Sequence, residues 1–223
     1  MIGRALRAPD VRWFRSLWWA NTRVCLWWAI LPSGALHIER ELVKDQCLIS
    51  EFARDMRLCT KDLGIEETQD ERYERLPFIA YTVALEAQMR GKASKGDDGE
   101  TRGDTFRHNG ILIRESSHDE SQGWTRVAEL LGTLPDGRPM LTIAPGCVQL
   151  VRALTNAVSD PNDPEVLLES AHDQPLRALR IGAMSRPAPR SFDRPELPKN
   201  AIGRLMEEIR NESEPSSGGI AWR

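Results

Sequence analysis

Residues 11–31 carry five of the chain's seven tryptophans, and this run constrains the fold more than anything else in the sequence. Its apolar character invites reading as a membrane span or a signal peptide. Arg12, Arg15 and Arg23 interrupt it, however, and the longest unbroken apolar stretch, Val24–Leu31, is far short of the roughly 20 residues a span needs. The run must therefore be buried inside protein, as strand. Pro32-Ser33-Gly34 closes it with a turn signal, so Val11–Trp19 and Arg23–Leu31 read as the two strands of a hairpin.

The rest of the chain continues this start. Leu36, Ile38, Arg40 and Leu42 alternate with His37, Glu39, Glu41 and Val43, the period of a third strand with one solvated face, which places Glu39 and Glu41 on a solvated edge. Leu48, Phe52, Met56, Cys59 and Leu63 then recur at helical spacing, and Gly64 follows as a stop signal. Phe78–Leu85 reads as a buried strand, parallel to an earlier one because it follows a helix. Residues 90–110 are dense in Gly, Lys, Arg and Asp and read as a long mobile surface loop. Beyond it a short strand is expected at Ile111–Ile113 and a helix through Trp124, Val127, Leu131 and Leu134. A strand at Met140–Ile143 and a helix through Val151, Leu154 and Val158 follow. Pro175 opens a last core helix with Leu176, Leu179 and Ala183. The expected organisation is a domain over residues 1–187 and a Pro/Arg-rich linker with a tail over 188–223, where Ile202, Leu205, Met206 and Ile209 mark a short amphipathic helix. This order of elements is the α/β plan of RNase H-like proteins, a mixed central sheet of three antiparallel strands extended by parallel ones and flanked by helices.

Composition narrows the function without naming it. Thirty basic side chains against 33 acidic ones leave no global field for nucleic acid, so any such contact has to be local. Cys25, Cys47, Cys59 and Cys147 have neither a CxxC pair nor a zinc-like Cys/His spacing, which predicts reduced thiols. The nearest approach to a phosphate-binding loop is Arg90-Gly91-Lys92, which lacks the leading glycine and the strand-to-helix setting, so ATP hydrolysis is not expected.

Three segments carry a family resemblance. The first is Arg15-Ser16-Leu17-Trp18-Trp19-Ala20, followed by Cys25-Leu26-Trp27-Trp28-Ala29 and Pro32-Ser33-Gly34-Ala35-Leu36-His37-Ile38. The second is Tyr81-Thr82-Val83-Ala84-Leu85-Glu86-Ala87. The third runs from Asp160 to Arg180 and contains Ala171-His172-Asp173-Gln174-Pro175-Leu176-Arg177. Together with the block from Gly123-Trp124 to Cys147-Val148, they resemble the RNase H-like nuclease domain of the tailed-bacteriophage terminase large subunit, over nearly all of residues 4–187. Other proteins on this plan, such as transposases and junction resolvases, need the same acids, and the 123–148 block favours terminase.

The resemblance implies a two-metal endonuclease that cuts double-stranded DNA, with Mg2+ or Mn2+ ions about 3.5–4 Å apart held by carboxylates from two strand ends and the final helix. Its partners would be double-stranded DNA and a separate terminase motor, small subunit or portal, in the cytoplasm of a bacterial host, with the gene carried by a phage or prophage; no membrane is involved. At the positions of the family's acids this sequence has Trp18, Leu85 and Arg177, and Gln174 replaces a histidine. A permanent cation at Arg177 would repel the dications such a site gathers. The expectation is thus a terminase nuclease domain with impaired or lost cleavage; the alternative is a non-catalytic DNA-binding or packaging-complex docking module. Asp173 and Glu86 are the surviving acids that could still hold metal, although Asp173 also suits a helix start and Glu86 lies one residue beyond the strand position. Asp119 with His118, and His172 beside Asp173, read as loop or surface polar groups. Arg90, Lys92, Lys95, Arg102 and Arg107 are the expected contacts to the DNA backbone. Trp13, Trp27 and Trp28 read as core, whereas Trp18 and Trp19 lie near the strand end, where one could stack on a base.

Overall fold

Alternation along the tryptophan-rich hairpin sorts its side chains onto two faces, and each face has a helix to cover it. The computed structural model describes residues 11–67, 77–92, 100–116, 119–134, 137–158 and 173–185, all within one compact unit, Met1–Arg186. The expected tail over 188–223, Lys95, His118 and His172 lie outside the described residues.

Strands β1 (Arg12–Trp19) and β2 (Thr22–Ile30) pair antiparallel, and β2 pairs antiparallel with β3 (Leu36–Asp45). Strand β4 (Ile79–Leu85) returns beside β1 in parallel, β5 (Ile113–Ser116) lies parallel to β4, and β6 (Leu141–Ile143) lies parallel to β3. The sheet order is β5-β4-β1-β2-β3-β6, with β2 alone running against the others. This is the α/β RNase H-like arrangement expected from the periodicity.

On one face, Trp13, Leu17, Trp19, Cys25 and Trp27 bury against Phe52, Ala53 and Met56 of helix α1 (Ile49–Asp62). Glu51 in the first turn of α1 accepts the Leu48 amide at 3.2 Å, and Gly64, at φ +71°, ends the helix in the left-handed conformation glycine tolerates. Three short helices follow: α2 (Glu86–Met89), α3 (Arg102–His108) and α4 (Glu120–Leu130). The other face, with Phe14, Val24, Leu26 and Trp28, packs on α4, on α5 (Val148–Thr155) and above all on α6 (Gln174–Met184), which supplies Leu176, Ala178, Leu179 and Ala183. Burying each such large apolar side chain contributes about 1.5–3 kcal/mol. All four cysteines are free, and burial pushes the Cys147 thiol up to about 12. Among the described residues no helix is long and apolar enough to cross a membrane.

The structure corrects the sequence reading of residues 90–110 and of the third strand, and it shifts the short strand expected at Ile111–Ile113 to Ile113–Ser116 and ends the helix expected through Leu134 at Leu130. Residues 90–110 are not one loop. Thr101 and Asp104 cap each other reciprocally, with Asp104 N donating to Thr101 Oγ1 at 3.1 Å and Thr101 N to Asp104 Oδ2 at 3.3 Å, and α3 buries Phe106 completely. Strand β3 is not a solvated edge where it begins, because β6 covers it: His37 is buried between Thr142 Oγ1 at 2.7 Å and Glu39 at 2.9 Å. Glu41 is likewise no idle surface acid. Its carboxylate accepts the Gln149 and Leu150 amides at 2.7 and 2.8 Å, satisfying the open N–H groups at the start of α5. Glu41→Ala is accordingly expected to lower stability by about 1–2 kcal/mol in chemical denaturation; a loss below a few tenths would mean that water replaces the carboxylate there.

Candidate functional site

Two parallel strands, β1 and β4, end side by side, and near the end of β1 one indole faces helix α6. Leu17 pairs with Ala84 across β1 and β4, so the next residues, Trp18 one before the end of β1 and Leu85 at the end of β4, stand on adjacent strands. Trp18 turns toward α6 and packs on the core there. Its indole Nε1 donates to Gln174 Oε1 at 2.5 Å, and the Arg177 guanidinium stands over its ring at 5.3 Å from the centroid. The three positions where the family resemblance expects acids thus lie at one end of the sheet, and Trp18 and Arg177 are in contact. Leu85 is half-buried at the start of α2. Trp19, offered by the sequence as a possible exposed stacker, is instead buried edge-on against Phe52 and Phe106 at 5.6 and 5.1 Å.

Two arginines of α6 share an acid: Arg177 and Arg180 each stand 3.6 Å from Glu120. Arg180 is buried, lies over the Trp124 ring at 5.6 Å, and has Nε and one terminal nitrogen without hydrogen-bond partners. Burial lowers its pKa, with Glu120 opposing. Gly123 makes this placement possible, since a Cβ there would meet Arg180 Cγ at 2.5 Å.

The candidate surviving acids each stand at the start of a helix. Asp173 is buried at the N-terminus of α6, where its carbonyl accepts the Leu176 and Arg177 amides at 2.8 and 3.1 Å. Glu86 opens α2 and pairs with Arg90, whose Nε also lies 3.7 Å from Glu115. Asp119 caps α4 through the Gln122 amide at 3.1 Å. Among the described residues no three His, Cys, Asp or Glu side chains are grouped to hold a metal ion. A unit positive charge 4 Å from Arg177 is repelled by about 4 kcal/mol at the dielectric of a protein surface, and a dication by about twice that. Among the described residues the donor set does not fit magnesium or manganese.

Of the basic residues expected to meet DNA, Arg90 and Arg107 are engaged by acids, Arg107 with Asp104 at 2.6 Å. Lys92 lies in an isolated bridge opposite Thr101. Arg102 points inward and donates to the Gln88 carbonyl at 2.9 Å. There it joins a cleft of about 510 Å³ formed by the turn residues 19–23 together with Arg102 and Gln174. Arg23, absent from the sequence-based candidates, also lines it. Its guanidinium sits 4.8 Å from the Trp19 ring centroid and donates to the Asn21 carbonyl at 2.6 Å. Nothing local in the sequence marks Arg23, because its partner Arg102 arrives from a distant helix.

No family model and no curated protein matches the sequence. The structure does match solved ones: the large terminase of a thermophilic bacteriophage in complex with ADP, at TM-score 0.58 and 17% identity over 78% of this chain. The P22 large terminase nuclease domain matches at TM-score 0.53 and 12% identity, over 81% of both chains. The fold is that of the large-terminase nuclease domains. The large terminase nuclease of the thermophilic phage G20c, solved with bound cobalt, matches at TM-score 0.50 and 11% identity over 80% of this chain and 84% of its own. The chain spans only 39% of the ADP-bound large terminase, whereas it covers most of the isolated nuclease domains.

Proposed function

We propose that this chain is a terminase-type nuclease domain that contacts double-stranded DNA in a phage DNA-packaging machine and has lost metal-dependent cleavage. The observation that carries the reading is the Trp18–Gln174–Arg177 contact, which fills the end of β1 with an indole and a guanidinium where the family resemblance places metal-binding acids. The G20c nuclease of the same fold was solved with bound cobalt, whereas this chain has a fixed cation, Arg177, where the family resemblance places an acid. Two-metal catalysis needs carboxylates to draw both ions to one phosphate, and a scaffold kept intact around their replacements points to a retained binding task. Its partners are then double-stranded DNA and a separately supplied terminase motor, small subunit or portal, in the cytoplasm of a bacterial host.

Supercoiled and linear DNA incubated with the protein in Mg2+ and in Mn2+ test this. No nicking or linearisation is expected from the parent chain, while Trp18→Asp, Leu85→Asp and Arg177→Asp combined is expected to introduce metal-dependent cleavage. Cleavage by the parent that an Asp173→Ala change abolishes would show that displaced acids hold metal, and the reading would fail.

A further inference from the structure

We infer that the cleft at the β1–β2 turn binds a DNA backbone phosphate directly through Arg23 and Arg102, with no bridging metal ion; this rests on the DNA-contacting reading above. Charge supplies the first reason. The cleft lining, residues 19–23 with Arg102 and Gln174, contains two arginines and no acid. Arg15, Arg40, Arg90 and Arg107 are each ion-paired with a carboxylate, whereas Arg23 and Arg102 have none among the described residues. Among the described residues no carboxylate offsets these two charges, at a place where the sheet end opens into a cleft.

Placement supplies the second. Among the described residues both guanidiniums are held by neutral groups, Arg23 by the Trp19 ring and the Asn21 carbonyl, Arg102 by the Gln88 carbonyl. The same Gln88 accepts the Trp19 amide at 3.1 Å through its side chain, so one residue braces both walls. Gly91 leaves room for Arg102 to reach inward, since a Cβ there would meet its guanidinium at 2.5 Å. Such anchoring engages one terminal nitrogen of each guanidinium, fixes the stems and leaves the other terminal N–H groups for an acceptor. Guanidinium forks match phosphate oxygens in geometry and charge.

Position supplies the third. Gln174 lines the cleft and also holds the Trp18 indole, so the cleft adjoins the sheet end where the resemblance expects metal. Where a two-metal nuclease would neutralise a phosphate with dications, this chain offers fixed cations that bind without activating water.

Fluorescence anisotropy of a labelled duplex in EDTA, repeated across a salt series with the full chain, decides the matter. The parent is expected to bind without metal. Arg23→Gln with Arg102→Gln is expected to weaken binding about tenfold or more and to flatten the slope of log affinity against log salt by about 1–2. Arg23→Lys with Arg102→Lys should keep the slope near the parent value while losing part of the affinity, and it carries the test if the glutamine pair does not melt cooperatively. Arg54→Gln, an exposed position on α1, should shift neither quantity. Equal binding by the parent and both double variants overturns the cleft assignment and leaves the DNA reading standing. Binding that appears only with Mg2+ overturns the metal-free contact, and no binding at any salt concentration removes both the assignment and the reading beneath it.

Discussion

Arg15→Met should destabilise the protein by about 3 kcal/mol, because it breaks a buried ion pair from one side. Arg15 is 1% exposed in the middle of β1. Its guanidinium grips both oxygens of Glu67, at 2.8 and 2.7 Å, and also donates to Thr82 at 2.9 Å and Thr60 at 3.0 Å. Methionine replaces the stem and loses every one of these bonds, leaving Glu67 partly buried, at 22% side-chain exposure, without its counter-charge. Thr60 would suffer less, since it still donates to the Met56 carbonyl at 2.8 Å and accepts the Trp27 indole at 3.0 Å. Removing both charges, as Arg15→Met with Glu67→Leu, should recover part of the loss, which distinguishes an orphaned carboxylate from lost packing. Urea denaturation reads both variants as midpoint shifts at unchanged slope. A loss below about 1 kcal/mol for the single change would mean that water solvates Glu67 in place of Arg15.

The same arginine shows how far a sequence of this kind can be read. Arg12, Arg15 and Arg23 all served to exclude a membrane span, and that use needed only their charge. Which of them would be buried, and against what, depended on Glu67, Thr60 and Thr82, brought together from three other parts of the chain. The strands themselves were legible because β1, β2 and β4 are bulky or unbroken apolar runs and β3 alternates at period two, and all four fall close to their expected bounds. Helix α3 was missed because Phe106 is one apolar residue in a polar stretch, too few for a period. Its signal lay in the capping pair Thr101 and Asp104. Glu41 gave no local sign either: its role depends on the start of α5 arriving beside β3.

The site divides along the same line. The family resemblance expects its acids at Trp18, Leu85 and Arg177, and the parallel register of β1 and β4 sets Trp18 and Leu85 near one sheet end, with Arg177 of α6 against Trp18. What the motifs could not give was the content of the gap. An indole hydrogen-bonded to Gln174 under a guanidinium is a packed arrangement with its own interactions, so restoring one acid at a time should leave the others' replacements in the way. The cleft lay further from the sequence still, since Arg23 becomes a candidate only once α3 sets Arg102 beside the hairpin turn.

Gly182→Ala should destabilise the protein by about 2 kcal/mol and lower its melting temperature by about 4–8 °C, although alanine is the better helix former. Gly182 lies in the last turns of α6, where the helix presses onto Trp28 of β2. A Cβ at this position would stand 2.6 Å from Trp28 Nε1 and closer still to two ring carbons. The ring cannot easily yield. Its Nε1 donates to Ser16 at 2.9 Å, its face stacks on Phe14 at 5.5 Å and 15°, and it is wholly buried. Overpacking of this kind costs about 1–3 kcal/mol, and a rigid indole places it at or beyond the upper end, against a gain of roughly 1 kcal/mol from helix propensity. Thermal melts of Gly182→Ala and of Gly182→Ala with Trp28→Leu separate the terms: the double variant should lose less than the sum of the singles, because the smaller side chain admits the methyl group. A Gly182→Ala protein as stable as the parent would mean that α6 can lift from β2, and with it Arg177 from Trp18, so that the filled site would be adjustable where the contacts make it fixed.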